Sequence, residues 1–434
     1  MFYNKVMEFK ELKAEEFINL AKRHPQFTFH QTPNWARLKK DVGWNAYYLG
    51  LFEDDKCLGL ALLLSKKIPY FNRYFFYSPR GFLFDYDNLE ALKYFTENIK
   101  EFAKKHKAIF VRIDPYLPYK QRDKDGNLVE GGFDNSEAFN NIIKCGYKHH
   151  GFNIYFENLQ PRWTSVLDLK DKTYEEIEAN YMATLRKELR QNLRNGIYTR
   201  EMKREELPEF IRLSNATGQR KGYNTRPLSY YERMWDELYD DGYMKMSITF
   251  INFKKAREVS QSLIDEILNN RKINEEKALK GEIKINPKKA LVKQKEEDTA
   301  ISNYQKNIES FMKMEEEYGK EEIAVSALLC LVSDREMISM SIGNDERFMK
   351  YKASFSNYNW AIKYALDNHK ERFNFYGITG NFSKDNPDYG LFEMKQRFGA
   401  VVEELVGQFD LVINPLFYSL YKLYGKIISL KQGN

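Results

Sequence analysis

Two runs along the chain are apolar at nearly every position, "LGLALLL" (58–64) and "IAVSALLCLV" (323–332). Both are too short to span a bilayer and read as strands buried on both faces. Around the first, "AYYLGLF", the turn "EDDK" and "CLGLALLL" predict a β-hairpin. "NLEALKYFTENIKEFAKKH" (88–106) then has helical spacing from a candidate Asn88 cap, and "AIFVRIDP" reads as a strand stopped by Pro115. Around the second, "AVSALLCLV", "SDRE" and "MISMSIG" predict another hairpin, followed by a helix over "SNYNWAIKYALDNH" (356–369) and a strand over "RFNFYGI". The order hairpin, helix, strand occurs twice although the residues do not match, which points to a duplicated α/β domain.

A different pattern separates the copies. From Lys254 to Lys320 aromatics are sparse and the one proline is Pro287. Ile301, Tyr304, Ile308 and Phe311 are spaced as a coiled-coil seam, and Ala256, Val259, Leu263 and Ile267 begin a second. "GEIKINP" (281–287) breaks the helix. The spacing predicts an antiparallel helical hairpin with arms roughly 40 Å long at 1.5 Å per residue. A disordered charged insertion is the competing reading, and the seam argues against it. The expected division is 1–158 for a first domain, 159–252 with 321–420 for a second, and 253–320 for the arm.

The chain has 434 residues, enough for two or three domains. Its net charge of +6 permits an anionic partner without requiring one. Locally the charge is sharper. Between Arg271 and Lys295, at the arm's tip, nine Lys/Arg face three Glu, a spacing of charge that suits a phosphate backbone or simply a solvated helix. In "TLRKELRQNLRNG" (184–196), Arg186, Arg190 and Arg194 line one helical face, where like charges repel by a few tenths of a kcal/mol per pair. A polyanion would offset that repulsion; a solvated face with Glu188 as partner would also explain it.

Cys57, Cys145 and Cys330 have no metal or disulfide spacing, and His149 with His150 is the one close histidine pair, so no metal site is expected. No basic, then apolar, leader opens the chain. The expected location is cytoplasmic, with peripheral contact at the inner membrane surface. No P-loop, GxSxG or GxGxxG motif is present, nor the Gly-rich turn that coenzyme-A acyltransferases use for phosphate.

Several stretches, in order along nearly the whole chain, resemble the Fem aminoacyltransferases, which build peptidoglycan interpeptide bridges. They are "YSPRGFLFDY" (77–86), "VRIDPY" (111–116), "LQPRWTSVLDL" (159–169), the basic helix, "TGQRKGYNTRPLSYY" (217–231), "NFYGITG", and "DYGLFEMKQRFGA" with "ELVGQFDLVINP". The resemblance implies an α/β fold of two tandem GCN5-type N-acetyltransferase-like domains with the inserted helical arm. It implies transfer of an amino acid from aminoacyl-tRNA to the stem-peptide amine of lipid II or UDP-muramyl-pentapeptide, with no cofactor, no metal and no DNA partner.

By the same resemblance, Lys39, Arg226 and Tyr230 match positions that hold the muramyl-peptide precursor, and Asp114 and Lys395 match positions proposed to serve the transfer. Arg186, Arg190, Arg194, Lys288 and Lys289 are the candidate phosphate and tRNA contacts. On the residues alone, Asp114 before Pro115 reads rather as a turn starter and Lys395 as a solvated helix lysine. The chain departs from the family pattern at Met394, where the family usually has Phe, and at Ser339-Met340-Ser341, where it often reads Tyr-x-Tyr. Two other classes stay open: a tRNA-binding module without catalysis, and an acyl-CoA N-acyltransferase of the same fold.

Overall fold

The computed structural model describes residues 6–432 apart from Tyr70 and Ile285. The first part of the chain forms β1 (Met7–Glu11), α1 (Ala14–Ala21), α2 (Pro33–Lys40), β2 (Trp44–Glu53), β3 (Lys56–Ile68), β4 (Arg73–Ser78) and β5 (Leu83–Phe84). It continues through α3 (Leu89–Lys105), β6 (Ala108–Ile113), β7 (Pro118–Gln121), α4 (Ser136–Lys144) and β8 (Tyr147–His149). Next come β9 (Trp163–Asp168), α5 (Tyr174–Asn180), α6 (Ala183–Arg194), β10 (Ile197–Glu201), α7 (Leu207–Lys221), α8 (Leu228–Leu238) and β11 (Met244–Asn252). The arm is α9 (Phe253–Leu279) and α10 (Pro287–Tyr318). The chain ends with β12 (Glu322–Val332), β13 (Glu336–Asn344), α11 (Ser354–Asp367), β14 (Arg372–Ile378), α12 (Tyr389–Gln396), β15 (Val401–Leu405), β16 (Phe409–Val412) and α13 (Pro415–Gln432).

The strands form two eight-stranded sheets. One runs β1-β2-β3-β4-β6-β16-β8 with β5 added to β3; the other runs β10-β11-β12-β13-β14-β9-β15-β7. Each has one parallel pair, β4 with β6 and β13 with β14, bridged by α3 and α11 respectively. The duplication is thus real, but its register differs from the one the sequence suggests. β1-β2-β3-β4-β6 corresponds to β10-β11-β12-β13-β14, so the partner of the first hairpin is β11–β12, not β12–β13. The arm separates β11 from β12 along the chain and hides their pairing.

The expected domain limits are also crossed twice. β16, within 321–420, completes the first sheet between β6 and β8. β7, within 1–158, pairs with β15 at the edge of the second. The two continuous apolar runs explain themselves in this setting. In β3, Leu60, Leu62 and Leu64 face one core while Ala61 and Leu63 face another under α3. In β12, Ala327, Leu329 and Leu331 face that same first core while Leu328, Cys330 and Val332 pack under α11. Strand alternation with both faces covered leaves little room for polar residues; the exception, buried Ser326, accepts from the Asn357 side chain at 2.9 Å.

α9 and α10 pack as the predicted antiparallel hairpin, cross-braced by Arg271 with Glu297 (2.5 Å) and by Arg257 with Glu315. Its base is not self-contained. Phe253, Ala256 and Phe311 share a core with Ile197, Ile251, Val325, Phe348 and Ala353. Removing all of 254–320 would therefore open the second domain. A cut above this core, replacing 268–300 by a short glycine linker, is expected to leave the thermal midpoint unchanged. Phe311→Ala is expected to lower unfolding free energy by about 3–5 kcal/mol in denaturant titration. Equal stability losses for both would mean that the outer arm also supports the fold.

Candidate active site

In the second sheet, β13 and β14 pair only from Glu336 with Arg372 to Ile338 with Asn374, and then part. In the first sheet the equivalent pair holds together from Tyr74 with Ala108 to Ser78 with Ile113. The gap in the second sheet is a cleft of about 770 Å³. Ser339, Met340 and Ser341 of β13, Tyr376 and Gly377 of β14, and Leu391, Met394 and Lys395 of α12 line it, with Arg220, Lys221 and Tyr223 at the end of α7.

The parting has a local cause. Tyr376 is left-handed at φ 66°, and the pairing of β14 with β9 shifts register between Asn374 and Gly377. Such a bulge turns backbone groups away from the ladder. The Asn374 side chain takes the Tyr376 N–H at 2.7 Å. The carbonyls of Tyr376 and Gly377 accept from Lys395 Nζ at 3.1 and 2.7 Å. Lys395 is 2% exposed, drawn in beside Phe392, which packs on Trp163, Ile378 and Val402. Burial, with Lys221 nearby, brings its pKa down to about 7. Lys395 is therefore not a solvated helix lysine.

Asp114 sits one layer behind the cleft, 3% exposed, at the end of β6. Its Oδ2 accepts from the Tyr77 hydroxyl and its Oδ1 from the Arg80 N–H, both at 2.7 Å. Burial raises its pKa to about 6 against the opposing pull of Arg80 and Tyr77. The loop at 159–162 joins this group to the cleft. Gln160 accepts from the Tyr376 hydroxyl at 2.6 Å, and the Pro161 carbonyl accepts from the Arg80 guanidinium at 3.0 Å. A methyl on Gly377 would come within 3.0 Å of Pro161 and 2.9 Å of Phe156, so the loop lies directly on the bulge.

A second cluster lies where α2 meets α8. Arg37 pairs with Glu237 at 2.7 Å and Asn34 donates to the Glu237 carbonyl at 2.7 Å, clamping the two helices. At their edge Lys39 Nζ is 3.4 Å from the Tyr230 hydroxyl and 4.0 Å from the Trp35 ring centre, and Arg226 lies over Tyr230 at 5.7 Å. Burial, then Arg226 and Lys66, pull the Lys39 pKa down to about 8. Among the described residues none of Lys39, Lys66 and Arg226 has a carboxylate partner in an ion pair. Converging cations with no counter-ion favour an anion beside them.

Residues 12–426 match the FemAB family. The chain belongs to that family. Aminoacyltransferase FemA of Staphylococcus aureus (strain bovine RF122 / ET3-1) is 31% identical over 426 residues, which is 97% of this chain and 99% of that protein. FemA of strain N315 gives the same figures. The crystal structure of FemX matches with a TM-score of 0.80 at 26% identity, over 95% of this chain and 99% of that one.

The remaining candidates of this FemAB chain lie apart from the cleft. α6 buries Leu185, Leu189 and Asn192, and the arginines occupy the adjoining face. Arg186 is not free: it donates to the Ala179 carbonyl at 2.6 Å and closes the end of α5. Arg190 and Arg194 are exposed, with no ion pair among the described residues. Glu188 is not their partner; it binds Lys352 and Arg397. Lys288 and Lys289 stand exposed at the arm tip, their N–H groups capped by Asn286. Sequence reasoning passed over Lys66, Tyr77, Gln160 and Tyr376. Tyr77, Gln160 and Tyr376 stand inside the quoted motifs, but only the fold joins them.

Lys395 titrates at about 7 in the fold and at the ordinary 10.5 when unfolded. Between these values the unfolded chain binds the extra proton, so stability rises with pH. Comparing urea unfolding of wild type and Lys395→Met near pH 7 and near pH 9, the difference is expected to move in favour of wild type at the higher pH. A difference that does not change with pH would mean an ordinary lysine.

Proposed function

We propose that this chain transfers an amino acid from aminoacyl-tRNA to an amine on the stem peptide of a peptidoglycan precursor. The observation that carries the reading is Lys395: a buried amine on two carbonyls, without a carboxylate, in the wall of an open cleft. An aminoacyl ester is already activated, so the enzyme must align amine and carbonyl, stabilise the oxyanion and release the ribose hydroxyl. Alignment alone supplies on the order of 7–11 kcal/mol when ideal. Two of the ammonium's N–H groups are held by the carbonyls, which leaves a third for the developing oxyanion or the tRNA end. Asp114, with both oxygens engaged and no place in the cleft wall, acts as a positioning residue. It holds Tyr77 and the Arg80 turn, which in turn fix Pro161 against the bulge.

The Lys39–Lys66–Arg226 cluster, with Tyr230, would take the anionic part of the acceptor. Arg190, Arg194, Lys288 and Lys289 would meet the tRNA backbone. Ser339, Met340, Ser341 and Met394 would set which aminoacyl group fits.

The test is to incubate the protein with lipid II or UDP-muramyl-pentapeptide and a panel of charged tRNAs, and to weigh the products. A mass gain of one amino acid residue with at least one tRNA is expected; none with any would refute the reading. Lys395→Met is expected to lower kcat by roughly 10² or more. In wild type kcat should fall as pH rises through about 7, where the cation is lost. Arg226→Gln should raise KM for the acceptor and leave kcat nearly unchanged.

The arginine face gives a separate prediction. Arg190→Gln with Arg194→Gln is expected to keep stability and to make tRNA affinity less steeply salt-dependent, because fewer counterions are released. Arg186→Gln should instead cost stability, about 0.5–1.5 kcal/mol for the lost hydrogen bonds. An unchanged salt slope in the double variant would remove these two residues from the tRNA contact.

A further inference from the structure

α13 carries an apolar stripe that nothing in the fold covers. Leu416, Leu420 and Leu423 recur at helical spacing on one face and are 69%, 43% and 56% exposed. The same spacing continues in sequence through Ile427 and Leu430. The opposite face is bolted down: Phe417, Tyr418 and Tyr421 pack against Ile68, Ile109 and Phe110, and the Tyr418 hydroxyl donates to buried Asp410 at 2.9 Å. The stripe is therefore held outward by a rigid attachment and is not a stray surface feature.

The charged residues of this helix have one sign. Segment 415–432 contains Lys422, Lys426 and Lys431 and no acidic residue. Arg73 lies over the Phe417 ring at 4.8 Å, and Lys148 and Lys422 approach the Tyr418 ring at 5.9 and 5.0 Å. Leucines outward and cations on the flanks are the composition of a helix lying in a lipid headgroup layer. No helix among the described residues is long and apolar enough to cross a membrane, so the geometry is that of surface attachment. A second copy of the chain is the poorer occupant, since pairing two such helices would bring lysine flanks together.

We infer that α13 docks the protein on an anionic phospholipid bilayer, with Leu416, Leu420 and Leu423 inserted and Arg73, Lys148 and Lys422 on the headgroups. β3 passes beneath the helix at Ile68, two residues after Lys66 of the anion cluster. Docking through α13 therefore sets that cluster near the membrane surface, where a lipid-linked acceptor presents its phosphates. This consequence rests on the proposed reaction; the docking itself does not.

The full chain would be sedimented with phosphatidylcholine vesicles, with and without phosphatidylglycerol, at low and high salt. Wild type is expected to pellet with the phosphatidylglycerol vesicles, less so in high salt. The triple variant Leu416→Ser, Leu420→Ser, Leu423→Ser is expected to lose at least about tenfold in vesicle affinity, from the apolar area withdrawn. Transfer to soluble UDP-muramyl-pentapeptide should be unchanged in it. Lys148→Gln with Lys422→Gln leaves the leucines in place and should weaken binding several-fold at low salt only; it keeps the test open if the triple variant unfolds. Equal pelleting of wild type and both variants overturns the inference, as does absence of wild-type binding. A wild-type dimer that the serine substitutions dissolve, without vesicle binding, would assign the stripe to a second copy and also overturns it. Vesicle binding needs no substrate, so failure of the transfer reaction would leave this readout intact.

Discussion

The two sheets share one apolar layer, and the rest of the molecule is arranged by that fact. Leu60, Leu62 and Leu64 from the first sheet share one core with Ala327, Leu329 and Leu331 from the second and with Phe210, Leu213, Met234 and Leu238 of α7 and α8. Burying the five strand leucines alone is worth on the order of 10 kcal/mol, as much as the whole net stability of a typical domain. Two halves joined in this way do not behave as independent beads. The exchange of β7 and β16 between sheets ties them further. The cationic cluster spans the joint: Lys39 and Lys66 come from one half, Arg226 and Tyr230 from the other.

A rigid joint lets a long-range contact hold a strained feature. A left-handed tyrosine inside a strand is costly for a bulky residue. Here its hydroxyl is held by Gln160, its N–H by Asn374 and its carbonyl by Lys395. The bulge frees the carbonyls that bury the lysine, and it parts the strands that would otherwise close the cleft. The "LQPR" stretch is thus a clasp between halves: Gln160 on Tyr376, Pro161 on Arg80 and Gly377, Arg162 on Glu404. Its chemistry is structural, and the site depends on it.

What the sequence discloses and what it withholds follow from the range of the interactions. Local patterns are legible: Asn88 caps α3 through the Ala91 N–H at 3.1 Å, the seam builds the arm, and the two apolar runs are central strands. The register of the repeat is not, because 69 residues of arm lie between strands that pair side by side. β16 is four residues long, and its neighbours are about 260 or more positions away in the chain. Nor can spacing tell which cation a glutamate chooses. Glu188 stands among the arginines of α6 yet binds Lys352 and Arg397, brought there by the fold. Lys39, Arg226, Tyr230 and Lys395 were named by resemblance, and the fold gathers the first three while burying the fourth.

The departures from the family pattern carry a further meaning once they are placed. Ser339, Met340, Ser341 and Met394 are separated by up to 55 positions, yet all four line the same cleft. Exchanging rings for hydroxyls and an unbranched thioether changes the volume and polarity of one space, and flexible methionine adapts to the shape that fills it. The clasp residues Gln160, Pro161 and Arg162 and the cationic pair Lys39 and Arg226 stand in stretches that resemble the family's motifs. A cleft of altered volume and polarity beside the same buried lysine would suit a common chemistry applied to a different acyl group.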